Sequence, residues 1–472
     1  MSNSNQYAFG MIGLGTMGRN LLLNMADHDF SVCGLDKDPT KVALLEKEGA
    51  SKNVKGFADS KEFVQSLKTP RAIMMLVPAG KIVDQVIDEL IPLLDKGDIL
   101  IDGGNSHFMD TNIRVEKLEA LGFHFFGMGV SGGEEGARKG PSMMPGGDPE
   151  AYKVMQPIFE SIAAKVDGSP CVTYIGPGAS GHFVKMVHNG IEYGLMELIS
   201  ESYGYLKTIL NLDNQEIGKI FTRWNEGPLK SFLLDITKDI FQFIDPETGK
   251  ILLDEIKDEA KAKGTGKWTS QIAMDLDCPT PTIDTAVSMR DLSKYKSLRI
   301  ELSKLYPSPS LHLNGTVEHH VQELEKALYF SMMITYAQGM HMMAKASVQY
   351  DFHLNLASIA KIWRGGCIIR SSFLHEIYNA YEKNSGLEHL LLDPEVQKLI
   401  DSNITGIRTV LGQTIQAGLS FSAFSSALSY FDSFRTGRLP SNLIQAQRDY
   451  FGAHTYEIIG KEGVFHTQWI KK

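Results

Sequence analysis

Up to about residue 175, short apolar runs alternate with amphipathic stretches. Tyr7–Ile12, Ser31–Leu35, Ala72–Val77, Ile99–Asp102 and Phe123–Val130 read as strands. Helical patterns lie between them at about 18–27, 80–94 and 110–121. Strand–helix alternation predicts a parallel sheet with helices on both faces. From about Gly181 the pattern changes, because long helical stretches follow one another and strand signals fade. The expected organisation is an α/β domain over 1–178, an all-α domain over 179–435, and a C-terminal tail over 436–472 that is too short to be a domain.

The helical part carries a faint internal repeat. Ile217-Gly218-Lys219-Ile220-Phe221 returns as Ile359-Ala360-Lys361-Ile362-Trp363, 142 positions later. Phe232-Leu233 with Ile236 returns as Phe373-Leu374 with Ile377, 141 positions later. A near-constant offset points to a duplicated helical unit.

Composition narrows the function classes. The chain has 472 residues, 43% hydrophobic and 22% charged, which suits an ordinary globular protein of several domains. No apolar run is long enough to span a bilayer, and the first residues, Met1-Ser2-Asn3-Ser4-Asn5-Gln6, do not read as a secretory signal. A net charge of −9 speaks against a general nucleic-acid binder. Cys33, Cys171, Cys278 and Cys367 are far apart in sequence, as expected of reduced thiols in a cytoplasmic protein.

Gly13-Leu14-Gly15-Thr16-Met17-Gly18 follows the first strand and opens a helix. In that setting the first glycine permits a tight turn, the second admits a pyrophosphate, and the third lets helix and strand pack closely. The helix N-terminus then presents free N–H groups to the phosphates. Asp36, at the end of the second strand, is placed to accept a hydrogen bond from a ribose 2′-hydroxyl and to repel a 2′-phosphate. That favours NAD, although the adjoining Lys37 could reach a phosphate. These signals make the first domain Rossmann-like.

A second candidate is the helix that follows Gly176-Pro177-Gly178-Ala179-Ser180-Gly181. Counted from Lys185, His188, Asn189, Glu192 and Tyr193 fall at +3, +4, +7 and +8, on one face. Val184, Val187, Ile191 and Leu195 occupy the other. A row of amine, imidazole, amide, carboxyl and phenol offers a base, an acid and neutral donors; a solvated stripe is the plain alternative. Asp102-Gly103-Gly104-Asn105-Ser106 and Ser131-Gly132-Gly133-Glu134-Glu135-Gly136-Ala137 lie where a doubly wound sheet places ligands.

Taken in order, Gly13–Gly18, Asp102–Ser106, Val130–Ala137, Gly140–Gly147, Lys185–Tyr193, Lys263–Trp268, Trp363–Arg370 and Gln445–His454 resemble the 6-phosphogluconate dehydrogenases. These are the long, dimeric class of the β-hydroxyacid dehydrogenases. The resemblance covers nearly the whole chain. It implies oxidative decarboxylation of 6-phosphogluconate to ribulose 5-phosphate and CO2 with reduction of NAD or NADP, as in the oxidative pentose phosphate pathway and gluconate use. It makes Lys185 the base at the 3-hydroxyl and Glu192 the acid that protonates C1. One helix would then supply both, about 10 Å apart in backbone rise. No metal is needed, since a β-keto acid loses CO2 once its carbonyl is hydrogen-bonded or protonated.

By the same resemblance Asn105, Ser131, Gly132, Gly133, His188 and Asn189 hold the sugar-acid end. Tyr193, Lys263, Arg290, Arg448 and His454 hold the 6-phosphate. Arg448 and His454 would come from the tail of a partner subunit, making the homodimer obligatory for activity. The Trp363–Arg370 segment reads as structural. The cofactor would lie against Gly13, Leu14, Gly15, Thr16, Met17, Gly18, Asp36, Lys37, Asp38, Val77, Pro78, Ala79 and Asn105.

The chain departs from the commoner NADP pattern of the family. That pattern has alanine where Gly15 stands, Asn-Arg-Ser/Thr where Asp36-Lys37-Asp38 stands, and lysine where Pro78 precedes Ala79-Gly80. The rival readings are a shorter β-hydroxyacid dehydrogenase acting on an unphosphorylated acid, and a non-catalytic dinucleotide sensor. The duplicated unit, Lys263, Arg290 and the tail residues argue against the first. The retained Lys185 and Glu192 argue against the second.

Overall fold

The computed structural model describes residues 6–309, 311 and 313–469. The first six residues, read above for a signal, lie outside that range except for Gln6, as do residues 470–472 of the tail. Seven strands form one sheet: β1 (Phe9–Ile12), β2 (Val32–Leu35), β3 (Val54–Phe57), β4 (Ala72–Met75), β5 (Ile99–Asp102), β6 (His124–Ser131) and β7 (Ser142–Gly147). Their order is β3-β2-β1-β4-β5-β6-β7. All neighbours are parallel except β6 and β7. The central strands β1, β4 and β5 are buried throughout, as helices on both faces require.

The alternation of apolar runs predicted five of these strands. β3 escaped because Val54-Lys55-Gly56-Phe57 has little apolar signal. β7 escaped because Ser142-Met143-Met144-Pro145-Gly146-Gly147 reads as a loop. It lies at the sheet edge, where proline is tolerated.

Seven helices accompany the sheet: α1 (Thr16–Asp27), α2 (Pro39–Glu48), α3 (Ser60–Gln65), α4 (Lys81–Leu90), α5 (Phe108–Leu121), α6 (Gly133–Lys139) and α7 (Pro149–Ile162). Of these, α2, α3, α6 and α7 went unpredicted. Asp38, Asp59 and Asp148 cap three of them by accepting backbone N–H bonds. A small hairpin, β8 (Lys165–Val166) and β9 (Ser169–Pro170), precedes the helical part.

That part begins with α8 (Ser180–Thr208), α9 (Asn214–Trp224), α10 (Phe232–Gln242), α11 (Thr265–Asp275), α12 (Pro281–Ser293) and α13 (Lys296–Leu305). It continues with α14 (Val317–Gln349), α15 (Leu356–Trp363), α16 (Phe373–Lys383), α17 (Pro394–Gln416) and α18 (Ser422–Phe434). The two long helices, α8 and α14, pack side by side at glycines. A Cβ on Gly194 would lie 2.6 Å from Thr335, and one on Gly339 would lie 2.5 Å from Ile191.

The sequence repeat has a structural counterpart. Each long helix is followed by two shorter ones, and the turns before α10 and α16 meet in an antiparallel bridge between Ser231 and Ser371. Phe232 N–H donates to the Arg370 carbonyl at 3.0 Å, and Ser372 N–H donates to the Lys230 carbonyl at 2.9 Å. Each partner sits 140 positions from its counterpart, so a local two-fold axis runs through the bridge.

The tail is more structured than its length suggested. Helix α19 (Ser441–Gly452) packs on a hairpin, β10 (Tyr456–Ile458) with β11 (Lys461–Phe465). The buried Asp449 carboxylate joins them by accepting from Thr455 N–H, His466 Nδ1, Thr467 N–H and Trp469 Nε1.

Candidate active site

Two groups of residues lie at the carboxyl ends of the strands. The first surrounds the turn from β1 into α1. Gly13 has φ of 93°, and a Cβ there would lie 2.5 Å from the Leu76 carbonyl oxygen. A Cβ on Gly18 would collide with the Gly13 carbonyl. Gly15 differs, for nothing lies within 4 Å of where its Cβ would be, so a ligand can approach the backbone. Leu14 is buried, and Thr16, Met17 and Gly18 form the first helical turn, whose N–H groups have no helical acceptor. This cradle fits a dinucleotide pyrophosphate.

The Asp36 carboxylate closes the turn. Oδ2 accepts from Leu14 N–H at 2.8 Å and Oδ1 from Asp38 N–H at 2.9 Å. A cavity of about 400 Å³ opens beside it, lined by Gly13, Gly15, Asp36, Val77, Pro78 and Glu89 among others. Lys37 is exposed and lies 3.3 Å from Glu89, while Lys41 lies 3.5 Å from Asp36. Asp38 has its side chain committed to capping α2 through Thr40. Ala79 leads into α4, whose N-cap is Gly80.

The second group is built on α8. Its first turns lie against β6 and β7 because glycines face one another there. A Cβ on Gly127 would lie 2.6 Å from the His182 ring, and one on Gly129, Gly146 or Gly181 would collide outright. At Gly129 the colliding atom is the Lys185 Cβ, so this contact sets the height of Lys185 above the sheet.

Lys185, His188 and Asn189 are buried. Lys185 Nζ lies 3.4 Å from His188 Nδ1, which is 3.2 Å from Asn189 Oδ1. His188 Nε2 lies 3.2 Å from Ser131 Oγ, which also accepts from Ile368 N–H at 3.4 Å. Gly132 and Gly133 follow at φ of 131° and 64°, and Gly133 faces open space. Asp102 holds the neighbouring loop by accepting from Gly104 N–H at 3.0 Å and from Ser106 Oγ at 2.6 Å. Asn105, between those two anchors, is exposed.

Two turns along α8, the Tyr193 ring stacks under the Arg290 guanidinium at 3.4 Å. Lys263 is exposed in the loop before α11. Arg448 and His454 are exposed on the tail, and their polar contacts stay within it.

Burial determines the charge states. It pulls the Lys185 amine below the usual lysine range, opposed first by the neighbouring Glu192. It pushes the Glu192 carboxyl up, opposed by Lys185 and Arg290. His188 falls well below the ordinary imidazole value through burial and the nearby Lys185, so it is neutral at pH 7. The helix therefore presents an amine that loses its proton more readily than a free lysine and a carboxyl that holds one more tightly than a free glutamate.

Residues 8–176 match the NAD binding domain of 6-phosphogluconate dehydrogenase, and residues 181–469 match the 6-phosphogluconate dehydrogenase C-terminal domain. The chain belongs to the 6-phosphogluconate dehydrogenase family. It is 50% identical over 463 residues to the NADP(+)-dependent, decarboxylating enzyme of Bacillus subtilis (strain 168), covering 98% of this chain and 99% of that one. It is 49% identical to the decarboxylating enzyme of Escherichia coli (strain K12) over 462 residues, 98% of each. Its fold matches the Plasmodium falciparum 6-phosphogluconate dehydrogenase with a TM-score of 0.95 and 42% identity, over 98% of this chain and 100% of that one. That protein was solved in apo form, with NADP+ and with 6-phosphogluconate.

Several residues around the site had no separate sequence signal. Ile368 and Trp363 come from a segment read as structural, yet Ile368 holds Ser131 and the Trp363 ring packs edge-on to His188 at 5.6 Å. Thr269 bonds the Met186 carbonyl at 2.8 Å from α11. Such partners lie far apart in sequence, and only a motif spanning both could have paired them. Among the described residues no group of three His, Cys, Asp or Glu side chains is placed to hold a metal ion, and no helix is long and apolar enough to cross a membrane.

Proposed function

We propose that this chain oxidises and decarboxylates 6-phospho-D-gluconate to D-ribulose 5-phosphate and CO2. The observation that carries this reading is the buried Lys185, its amine made less basic by burial, two turns from Glu192 on the same face of α8. Bound NAD(P)+ supplies the acceptor for the hydride leaving C3.

Neutral Lys185 takes the proton of the 3-hydroxyl as that hydride departs. The resulting lysine ammonium then donates to the 3-keto oxygen, so that electrons flow into the carbonyl as the C1–C2 bond breaks and CO2 leaves. Glu192, its carboxyl made harder to ionise by burial, delivers a proton to the former C2 of the enediol, which becomes C1 of ribulose 5-phosphate. His188, neutral, and Asn189 orient the hydroxyls with Ser131, Asn105 and the Gly132–Gly133 backbone. Tyr193, Lys263 and Arg290 receive the 6-phosphate, a dianion that calls for several cationic donors.

We read the cofactor site as favouring NAD. Asp36 stands where a 2′-phosphate would approach, and Lys37 is occupied by Glu89. The tail exposes Leu443, Ile444, Tyr450, Phe451 and Trp469. Docking them on a second copy would cover this surface and let Arg448 and His454 complete the phosphate site, as a homodimer requires. The test is an assay of reduced cofactor and CO2 with 6-phosphogluconate and with gluconate. Equimolar products and a strong preference for the phosphorylated acid are expected; equal kcat/KM for the two acids would overturn the reading. Removing residues 436–472 should abolish turnover, and full activity in the truncated chain would remove the role given to the tail.

A further inference from the structure

A second cleft, of about 440 Å³, opens where the two helical repeats meet. It is lined by the paired turns around Ser231 and Ser371. Lys230 and Arg370 both line it and occupy equivalent positions, 140 apart, just before those serines. The duplication thus brings two basic residues together across the local two-fold axis. Arg364 and His375 add to the same wall.

Asp235, Asp167 and Glu135 lie near this set, but among the described residues none forms an ion pair with Lys230 or Arg370, and Glu135 pairs with Lys139 at 2.9 Å. Asp235 is spent on Lys238, at 2.7 Å, and on the Asn225 amide. Asp167 reaches only Arg364, at 3.4 Å, from an exposed position. Arg370 is half-buried and forms no ion pair among the described residues. Its guanidinium lies 3.9 Å over the Phe232 ring and donates to the Cys367 carbonyl at 2.7 Å. Burial lowers its basicity, opposed in part by Asp235 and Glu135 at longer range. A half-buried guanidinium with no carboxylate at ion-pair distance, in a cleft with a second cation at the symmetric position, suits a tetrahedral oxyanion.

We propose that this cleft binds a small phosphate-class oxyanion between Lys230 and Arg370, separately from the substrate's phosphate site. The cleft is also wired to the catalytic floor. The Cys367 carbonyl bonded by Arg370 is one residue from Ile368, whose N–H holds Ser131.

The probe is inorganic phosphate, titrated calorimetrically into the full-length enzyme with and without saturating 6-phosphogluconate. One phosphate per chain should persist under saturating substrate. Its affinity should fall about tenfold or more in Lys230→Ala, the loss of one charge-assisted contact. It should disappear in Arg370→Ala, with Lys230→Ala remaining decisive if Arg370→Ala does not fold. Loss of all phosphate binding in the presence of substrate, or unchanged affinity in Lys230→Ala, overturns the proposal. If substrate displaces no phosphate at all, the 6-phosphogluconate reading suffers, while the Lys230 comparison still decides the cleft.

Discussion

At the scale of single residues, the chemistry depends on two groups pushed away from their ordinary charge states by the same cause. Burial makes Lys185 easier to deprotonate and Glu192 harder to ionise. Lys185→Ala should lower kcat by about 10²–10⁴-fold, the range for removing a general base, while calorimetry still detects substrate binding. Near-normal turnover would exclude Lys185 as the base. Asp36 acts on specificity by charge. Asp36→Ala should raise the NADP/NAD ratio of kcat/KM by roughly tenfold or more, at least about 1.4 kcal/mol, since it removes a like charge from the path of the 2′-phosphate. It should also weaken NAD use, because Leu14 and Asp38 lose their acceptor. An unchanged ratio would remove the specificity argument.

At the scale of elements, the position of α8 on the sheet matters more than its own sequence. Gly127, Gly129, Gly146 and Gly181 let a helix run closer to β6 and β7 than side chains would allow. Gly129→Ala would set a methyl group against the Lys185 Cβ. Such overpacking costs about 1–3 kcal/mol and lifts the helix. A displacement near 1 Å can cost about 10²-fold in rate. We expect a lower kcat with the far-ultraviolet circular dichroism spectrum retained. A kcat equal to that of the native protein would show that the contact does not position the amine.

At the scale of the whole molecule, burial also ties stability to pH. His389 is buried between α14 and α18. Its Nδ1 accepts from Leu391 N–H at 3.2 Å, and its Nε2 bonds the Tyr430 hydroxyl at 2.8 Å. Burial, then the neighbouring His341, pulls its pKa down to about 4. His341, Glu388 and Arg435 are the titratable groups around the same cavity. The folded pKa lies below the unfolded one, so the contribution is complete above about pH 6.5 and is lost as pH falls toward 4. It amounts to roughly 3 kcal/mol across that window. The melting temperature should therefore fall on acidification, and His389→Gln should flatten that dependence between pH 6.5 and 4. An equally steep fall in the variant would place the proton uptake elsewhere.

Much was legible without coordinates, because local chemistry and periodicity report themselves. The Gly13–Gly18 turn needs only strand, glycines and helix in succession. The polar row from Lys185 to Tyr193 follows from helical spacing, and the repeat from a near-constant offset. β3 and β7 were not legible, since a glycine-bearing strand and a proline-bearing edge strand gain their stability from neighbours rather than from their own side chains. The sequence by itself determined which groups could do chemistry and in what order they occur. The tertiary structure alone decided their protonation, their height above the sheet, and which distant residues hold them. Those properties depend on burial and close approach between segments far apart in the chain, and neither is written in any one stretch of it.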